Sequence, residues 1–215
     1  MTKRQILQRL LEPGIIAILR AESSEQLLGA TEALALGGVT AVEVTMTTPG
    51  ALQVINEVKV KFDDRVLIGV GSVLDPETCR AAILAGAEFV VTPVTRRDVI
   101  RICNRYGKPI ICGAFTPTEA LLAHESGADF IKLFPVEQVG PAYIKNLLAP
   151  LPMLQIVPTG GVTPETAVDF IEAGCVALGA GASLVSRDAL ARQDWAGITA
   201  TAKRFVEAIQ AARLR

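Results

Sequence analysis

HESGADFIKLFPVE, residues 124–137, contains the unit that repeats along this chain. A helix-like segment closes on Gly127, the chain turns, and a short apolar run follows in Phe130, Ile131, Leu133 and Phe134 before a proline. Glycine accepts the left-handed conformation that ends a helix. A short apolar run bounded in this way reads as a buried strand. Lys132 stands in the middle of it. Desolvating an ammonium group is costly, so its place there needs a reason other than packing.

The same glycine punctuation closes LALGG (34–38), ILAGAE (83–88) and IEAGC (171–175). Strand-like runs recur as IIAIL (15–19), AVEV (41–44), VLIGV (66–70), FVVT (89–92), IIC (110–112), FIKLF (130–134), QIVP (155–158) and VALG (176–179). Helical patterns lie between them. Many open on a capping residue followed by proline, which suits the first helical position: Thr48-Pro49, Asp75-Pro76, Thr116-Pro117 and Thr163-Pro164. Thr116 with Glu119 and Ser23 with Gln26 fit the capping box. No linker or charge block interrupts the series, so residues 1–215 read as a single domain. Eight strands alternating with eight helices predict an α/β fold, the closed parallel (β/α)8 TIM barrel. A doubly wound open sheet is the alternative. MTKRQILQRLLEPG places Ile6, Leu7, Leu10 and Leu11 at helical spacing, which predicts an amphipathic helix before strand 1 and not a signal peptide.

Composition removes several function classes. Lys and Arg total 21 against 22 Asp and Glu, a net charge of −1. That balance points to no nucleic acid and no membrane surface as partner, and no run is long enough to span a bilayer. Cys79, Cys103, Cys112 and Cys175 have neither C-x-x-C nor zinc spacing. They read as reduced core thiols of a cytoplasmic protein. The single histidine, His124, argues against a histidine metal site or a serine–histidine triad.

Counting five residues on from Gly38, Gly86, Gly127 and Gly174 gives Glu43, Val91, Lys132 and Gly179. They belong to strands 2, 4, 6 and 8, which share interior layers in such a barrel. An acid and an amine then face one small space near the carboxyl ends of the strands, where barrel active sites sit. A buried structural ion pair is the plain alternative. PTGGVTPE (158–165) and LGAGAS (178–183) put glycines after strands 7 and 8, the usual barrel phosphate site, with a helix opening nearby. Arg20 ends strand 1 and suits a carboxylate clamp, or else is a surface charge. Trp195 is expected to pack the last helix on the barrel. Arg96 and Arg97 open a helix near the catalytic end, within possible reach of substrate.

Burial disfavours the charged form of an amine, and neutral amines attack carbonyls to form Schiff bases. The protonated imine is an electron sink that permits cleavage of a neighbouring C–C bond. A carboxylate such as Glu43 moves the protons. This is lysine-type aldolase chemistry with no metal and no organic cofactor. A sugar-phosphate isomerase or epimerase using the same phosphate loops, and a non-catalytic binding barrel, are the other readings.

At these residues the chain resembles the 2-dehydro-3-deoxy-6-phosphogluconate (KDPG) and 4-hydroxy-2-oxoglutarate aldolases, together with the 2-dehydro-3-deoxy-6-phosphogalactonate aldolases. IIAILRA, AVEVTMTTP, IGVGSVL, FVVTP, GAFTPTEA, IKLFPVEQVGP and VPTGGVTPE carry the resemblance, over residues 15 to about 185. It implies a (β/α)8 barrel, a homotrimer, and reversible cleavage of a small keto acid to pyruvate and an aldehyde, commonly glyceraldehyde 3-phosphate. It also implies Lys132 as the Schiff-base lysine and Glu43 as the proton-transfer group. Ser72, Pro93, Phe134 and Thr159 match the pyruvyl end, and Gly160 and Gly161 the phosphate loop, with Gly179, Gly181 and Ser183 beside them. Some members carry an arginine four residues after the glutamate, where this chain has Thr47; others place it at the end of strand 1, as Arg20 stands here. Where relatives often read G-S-x-L, this chain reads Gly181-Ala182-Ser183-Leu184. Phosphate contacts then rest on backbone N–H groups, helped by Ser183.

Overall fold

The computed structural model describes residues 1–214. Helix α1 (Lys3–Leu11) precedes strand β1 (Ile15–Leu19). There follow α2 (Ser24–Leu36), β2 (Ala41–Thr45), α3 (Ala51–Phe62), β3 (Leu67–Gly71), α4 (Pro76–Ala85), β4 (Phe89–Val91), α5 (Arg97–Arg105) and β5 (Ile110–Ala114). The chain continues through α6 (Pro117–Glu125), β6 (Phe130–Leu133), α7 (Gly140–Leu148), β7 (Ile156–Pro158), α8 (Ala167–Glu172), β8 (Leu178–Ala180), α9 (Arg187–Ala191) and α10 (Trp195–Arg213). Each strand lies beside its sequence neighbours, β1 also pairs with β8, and a Thr159–Gly179 bridge joins β7 to β8. The sheet is therefore a closed parallel barrel, and the open-sheet alternative falls away.

The hydrogen-bond register shows how the strands tilt. Glu43 pairs with Gly69, Val70 with Val90, Val91 with Ile111, Cys112 with Ile131, Lys132 with Val157, and Ile16 with Gly179. Advancing one residue at each crossing leads from Glu43 to Val91, to Lys132, to Gly179 and back to Glu43. That is the stagger of an eight-stranded barrel, and it puts these four residues in one interior layer, as the glycine spacing predicts.

Side chains alternate between the two sides of each strand. Outward residues such as Ile15, Ala17, Val42, Val44, Ile68 and Val70 pack under the helices in the larger core. Inward residues on the amino-end side, among them Ile16, Leu67, Phe89, Phe130 and Val157, form a separate cluster with Ile6 and Leu10 of α1, and Val91 of the upper layer packs onto it. Helix α1 thus plugs the amino end of the barrel with its apolar face. Lys3 holds it there through an ion pair to Asp129 at 2.8 Å, and Arg213 donates to the carbonyls of Leu11, Glu12 and Val176.

Helix boundaries follow the capping chemistry at most places. Asp75 and Thr116 accept from the N–H groups three residues on, with proline at the next position. Gly38, Gly86, Gly127 and Gly174 take φ of 87, 117, 93 and 102°. Three expectations change. At Thr48-Pro49 the chain makes a further turn, and α3 begins only at Ala51 after the left-handed Gly50. At Thr163-Pro164, Thr163 and Thr166 exchange hydrogen bonds across a turn, and α8 starts at Ala167. Ser23 caps α2, but the Gln26 side chain accepts from Glu22 N–H, leaving the box half formed. Trp195 opens α10, and its ring lies against Gly29 of α2. All four cysteines are buried and free. No described helix is long and apolar enough to cross a membrane.

Candidate active site

Strand alternation brings Lys132 of β6 and Glu43 of β2 to the barrel interior, one step above the apolar floor. Both are buried, at 8% and 3% exposure. A cavity of about 520 Å³ opens above them. It is lined by Arg20, Glu43, Ser72, Pro93, Lys132, Phe134, Thr159, Gly160, Gly161, Gly179, Gly181 and Ser183, together with Ile18, Val162 and Ala182. Among the residues that the family resemblance assigns to the site, Thr47 alone stays outside. Its hydroxyl bonds that of Thr45 at 2.8 Å, and it lines a neighbouring cavity that shares Arg20.

Lys132 and Glu43 face the same space without joining. No ion pair within 4.0 Å links them among the described residues, so the structural ion-pair reading fails. The Lys132 Nζ lies 5.3 Å from the centroid of the Phe134 ring, a geometry that favours a cation over the ring face. Phe134 is half-exposed and forms a wall at the mouth of the cavity.

Glu43 owes its position to a missing side chain. Its carboxylate lies over Gly71, the last residue of β3, where any Cβ would overlap Oε1 and Cδ. Ser72 follows at φ 60°, in the sparsely populated left-handed region. The chain there turns sharply from strand to cavity wall.

The far side of the cavity is made of two turns. Gly160 and Gly161 have φ of 87 and 79°, and a Cβ at Gly161 would meet the Glu137 backbone at 2.9 Å. The Ser183 hydroxyl donates to the Val162 carbonyl at 2.5 Å, tying the turn after β8 to the turn after β7. That hydrogen bond engages the Ser183 hydroxyl with the protein, while Ser183 itself lines the cavity as expected. The N–H groups of Gly161, Val162, Gly181 and Ala182 make no backbone hydrogen bond among the described residues, whereas the Thr159–Gly179 bridge engages that of Gly160. A patch of unpaired N–H groups suits an anion. It stands without the nearby helix start expected from the sequence, since α8 begins at Ala167 and α9 at Arg187.

Ile18, Val162 and Gly71 are additions to the sequence reading. Ile18 was legible in principle, since it lies two residues before Arg20 and so on the same face of β1. Gly71 shares the inward face of β3 with Gly69, next to the strand that bears Glu43. Arg96 and Arg97 do not line the cavity. Arg96 pairs with Asp98, and that bond holds the Asp98 carboxyl down at about 2. Arg97 lines a surface cleft with Arg101 and Glu125.

An amine buried where substrate enters a barrel is the working part of enzymes that attack carbonyl carbon. Similarity to known proteins narrows that class. The chain belongs to the KDPG and KHG aldolase family, whose model matches residues 6–201. It is 36% identical to a 2-dehydro-3-deoxy-6-phosphogalactonate aldolase of Escherichia coli (strain K12) over 197 residues, 91% of this chain and 96% of that protein. It also superposes on the 2-keto-3-deoxy-6-phosphogluconate aldolase of Zymomonas mobilis ZM4 with 3-phosphoglycerate, at a TM-score of 0.84 and 28% identity, over 95% of this chain and 96% of that one. The KDPG aldolase from Legionella pneumophila, with pyruvate captured as a covalent carbinolamine, matches at a TM-score of 0.81 and 26% identity over 88% and 92% of the two chains.

Proposed function

We propose that this chain is a class I aldolase that cleaves a 2-keto-3-deoxy-6-phospho sugar acid reversibly to pyruvate and glyceraldehyde 3-phosphate. The observation that carries the reading is a buried lysine and a buried glutamate sharing one cavity without pairing. The Lys132 amine adds to the C2 carbonyl, and the carbinolamine loses water to give an iminium. Removal of the C4 hydroxyl proton breaks the C3–C4 bond. Its electrons flow into the iminium to form an enamine, and the aldehyde leaves. Protonation at C3 and hydrolysis then release pyruvate and restore the amine. Glu43 moves the protons in these steps, and the Phe134 face lies beside the nitrogen that carries positive charge.

Arg20 takes the substrate carboxylate in this reading, with Ser72, Pro93 and Thr159 shaping the pyruvyl end, and their shared lining of the cavity supports it. The unpaired N–H groups of the two glycine turns hold the phosphate, so that binding energy far from the reacting carbons orients them. Ala182 leaves this end without the usual serine hydroxyl. The 2-dehydro-3-deoxy-6-phosphogalactonate and unphosphorylated 4-hydroxy-2-oxoglutarate substrates fit the same steps. The family resemblance supports a homotrimer working in the cytoplasm.

A coupled assay of pyruvate release tests the reading on the three substrates. The expected result is release from at least one phosphorylated acid, with kcat/KM above that for 4-hydroxy-2-oxoglutarate. Interconversion of a sugar phosphate with no pyruvate formed would move the protein to the isomerase class.

A further inference from the structure

Strand β5 carries a glycine beside Lys132, and another part of the chain fills the space it leaves. Gly113 pairs with Lys132 in the β5–β6 register. It faces inward, two residues on from Ile111 of the floor cluster. A Cβ at Gly113 would overlap the Pro93 backbone and the Val94 nitrogen. The segment after β4 therefore crosses directly over Gly113, and Pro93 is the part of it that lines the cavity with Lys132.

Two threonine hydroxyls hold that segment down. The β4–β5 ladder runs out at Thr92, whose N–H donates to the Ile111 carbonyl at 3.1 Å. Beyond it, the hydroxyl of the fully buried Thr92 accepts from Gly113 N–H at 3.0 Å and donates to the Val94 carbonyl at 2.8 Å. These bonds span Pro93, which has no N–H of its own to give. Thr95 closes the far side, its hydroxyl donating to the Gly113 carbonyl at 2.9 Å. Both backbone groups of Gly113 are thus bonded to side chains of residues 92–95, in place of a continued strand. The aldolase steps use neither threonine. A valine at position 92 would keep the side-chain shape and leave the buried Gly113 N–H without its acceptor.

We infer that Thr92 is a positioning residue: its hydroxyl sets the height of Pro93 over Gly113, and so the width of the cavity beside the Lys132 amine. The inference rests on the aldolase reading and adds to it a residue that never touches substrate. A wall fixed this close to the reacting nitrogen limits what a keto acid can carry next to its carbonyl carbon. Pyruvate presents a methyl group there, and 2-oxobutanoate an ethyl group. Thr92 therefore acts on selectivity as well as on rate.

Borohydride trapping on the full chain, with pyruvate and with 2-oxobutanoate in parallel, gives the test. In the wild type pyruvate should be trapped on Lys132 at least about 10-fold faster, the discrimination a close wall makes against one extra methylene. Thr92→Val should bring that ratio toward one and lower kcat for cleavage by about 10–10²-fold, with a smaller change in KM. Thr92→Ser, which restores the hydroxyl, should recover both. A threonine that merely stabilised the fold would lower Tm and leave the ratio where it was. Thr95→Val loosens the other end of the same segment; it should move the ratio the same way by less, and it stands in if Thr92→Val does not fold. A wild type that traps both acids alike, a ratio unchanged in Thr92→Val (or in Thr95→Val where it stands in), or a serine variant as altered as the valine overturns the inference and leaves the aldolase reading intact. No pyruvate adduct on the wild type removes that reading, and this inference with it.

Discussion

The barrel interior holds two regions one strand step apart. At the floor, Phe130, Ala41, Leu67 and Val157 pack with α1. Two residues further along the same strands stand Lys132, Glu43, Gly69 and Thr159. Both regions face inward by the same alternation, and both are shielded from solvent. In the floor, close packing leaves nothing to react, and burial contributes stability. In the upper layer, Gly71 and Gly179 remove side-chain volume, and the buried amine and acid stand in the space that results. The floor fixes the strands whose next residues line the cavity.

If that division of labour holds, substitutions in the two regions have separable consequences. Lys132→Ala should lower kcat/KM by at least about 10⁴-fold, as loss of a covalent nucleophile does, with thermal unfolding little changed. Glu43→Gln should lower kcat by about 10²–10⁴-fold in steady-state assays. In the floor, Phe89→Ala should cost about 3–5 kcal/mol of stability in urea unfolding, while the folded fraction keeps its kcat. Equal loss of activity per folded molecule would blur the two regions into one. Gly71→Ala tests the boundary. Its methyl group displaces the Glu43 carboxylate, so kcat should fall about 10²-fold with a smaller change in KM.

A control outside both regions has the smallest effect. Asp98 is held at about 2 by the hydrogen bond from Arg96. Its folded value lies below the ordinary 3.8, so its contribution to stability is present above that pH and is lost as pH falls toward about 2. Asp98→Asn should flatten the acid limb of stability slightly, because both partners are solvent-screened, and leave kcat unchanged.

The barrel was legible because its signals are local and repeated. Glycine closes helix after helix, and counting from those glycines puts Glu43 and Lys132 at one height, as the strand register does. The two glycine turns that line the cavity were legible from glycine pairs in the right units. What escaped depended on contacts across strands. Gly71 matters because a carboxylate from another strand lies over it, and no spacing within IGVGSVL carries that. Thr48-Pro49 has the form of a helix cap, yet a turn from β2 takes precedence and leaves its hydroxyl unpaired. The bond from Ser183 to the Val162 carbonyl joins two turns far apart in sequence and has no local signal. Thr47 is near Glu43 in sequence, but its side chain is drawn away by Thr45.

Borohydride reduction in the presence of pyruvate, followed by peptide mass spectrometry, tests the central claim most directly. The account predicts irreversible inactivation with one reduced pyruvyl adduct, on Lys132, protected by substrate and absent from Lys132→Ala. Full activity after reduction, or an adduct on another lysine with Lys132 unmodified, would contradict it.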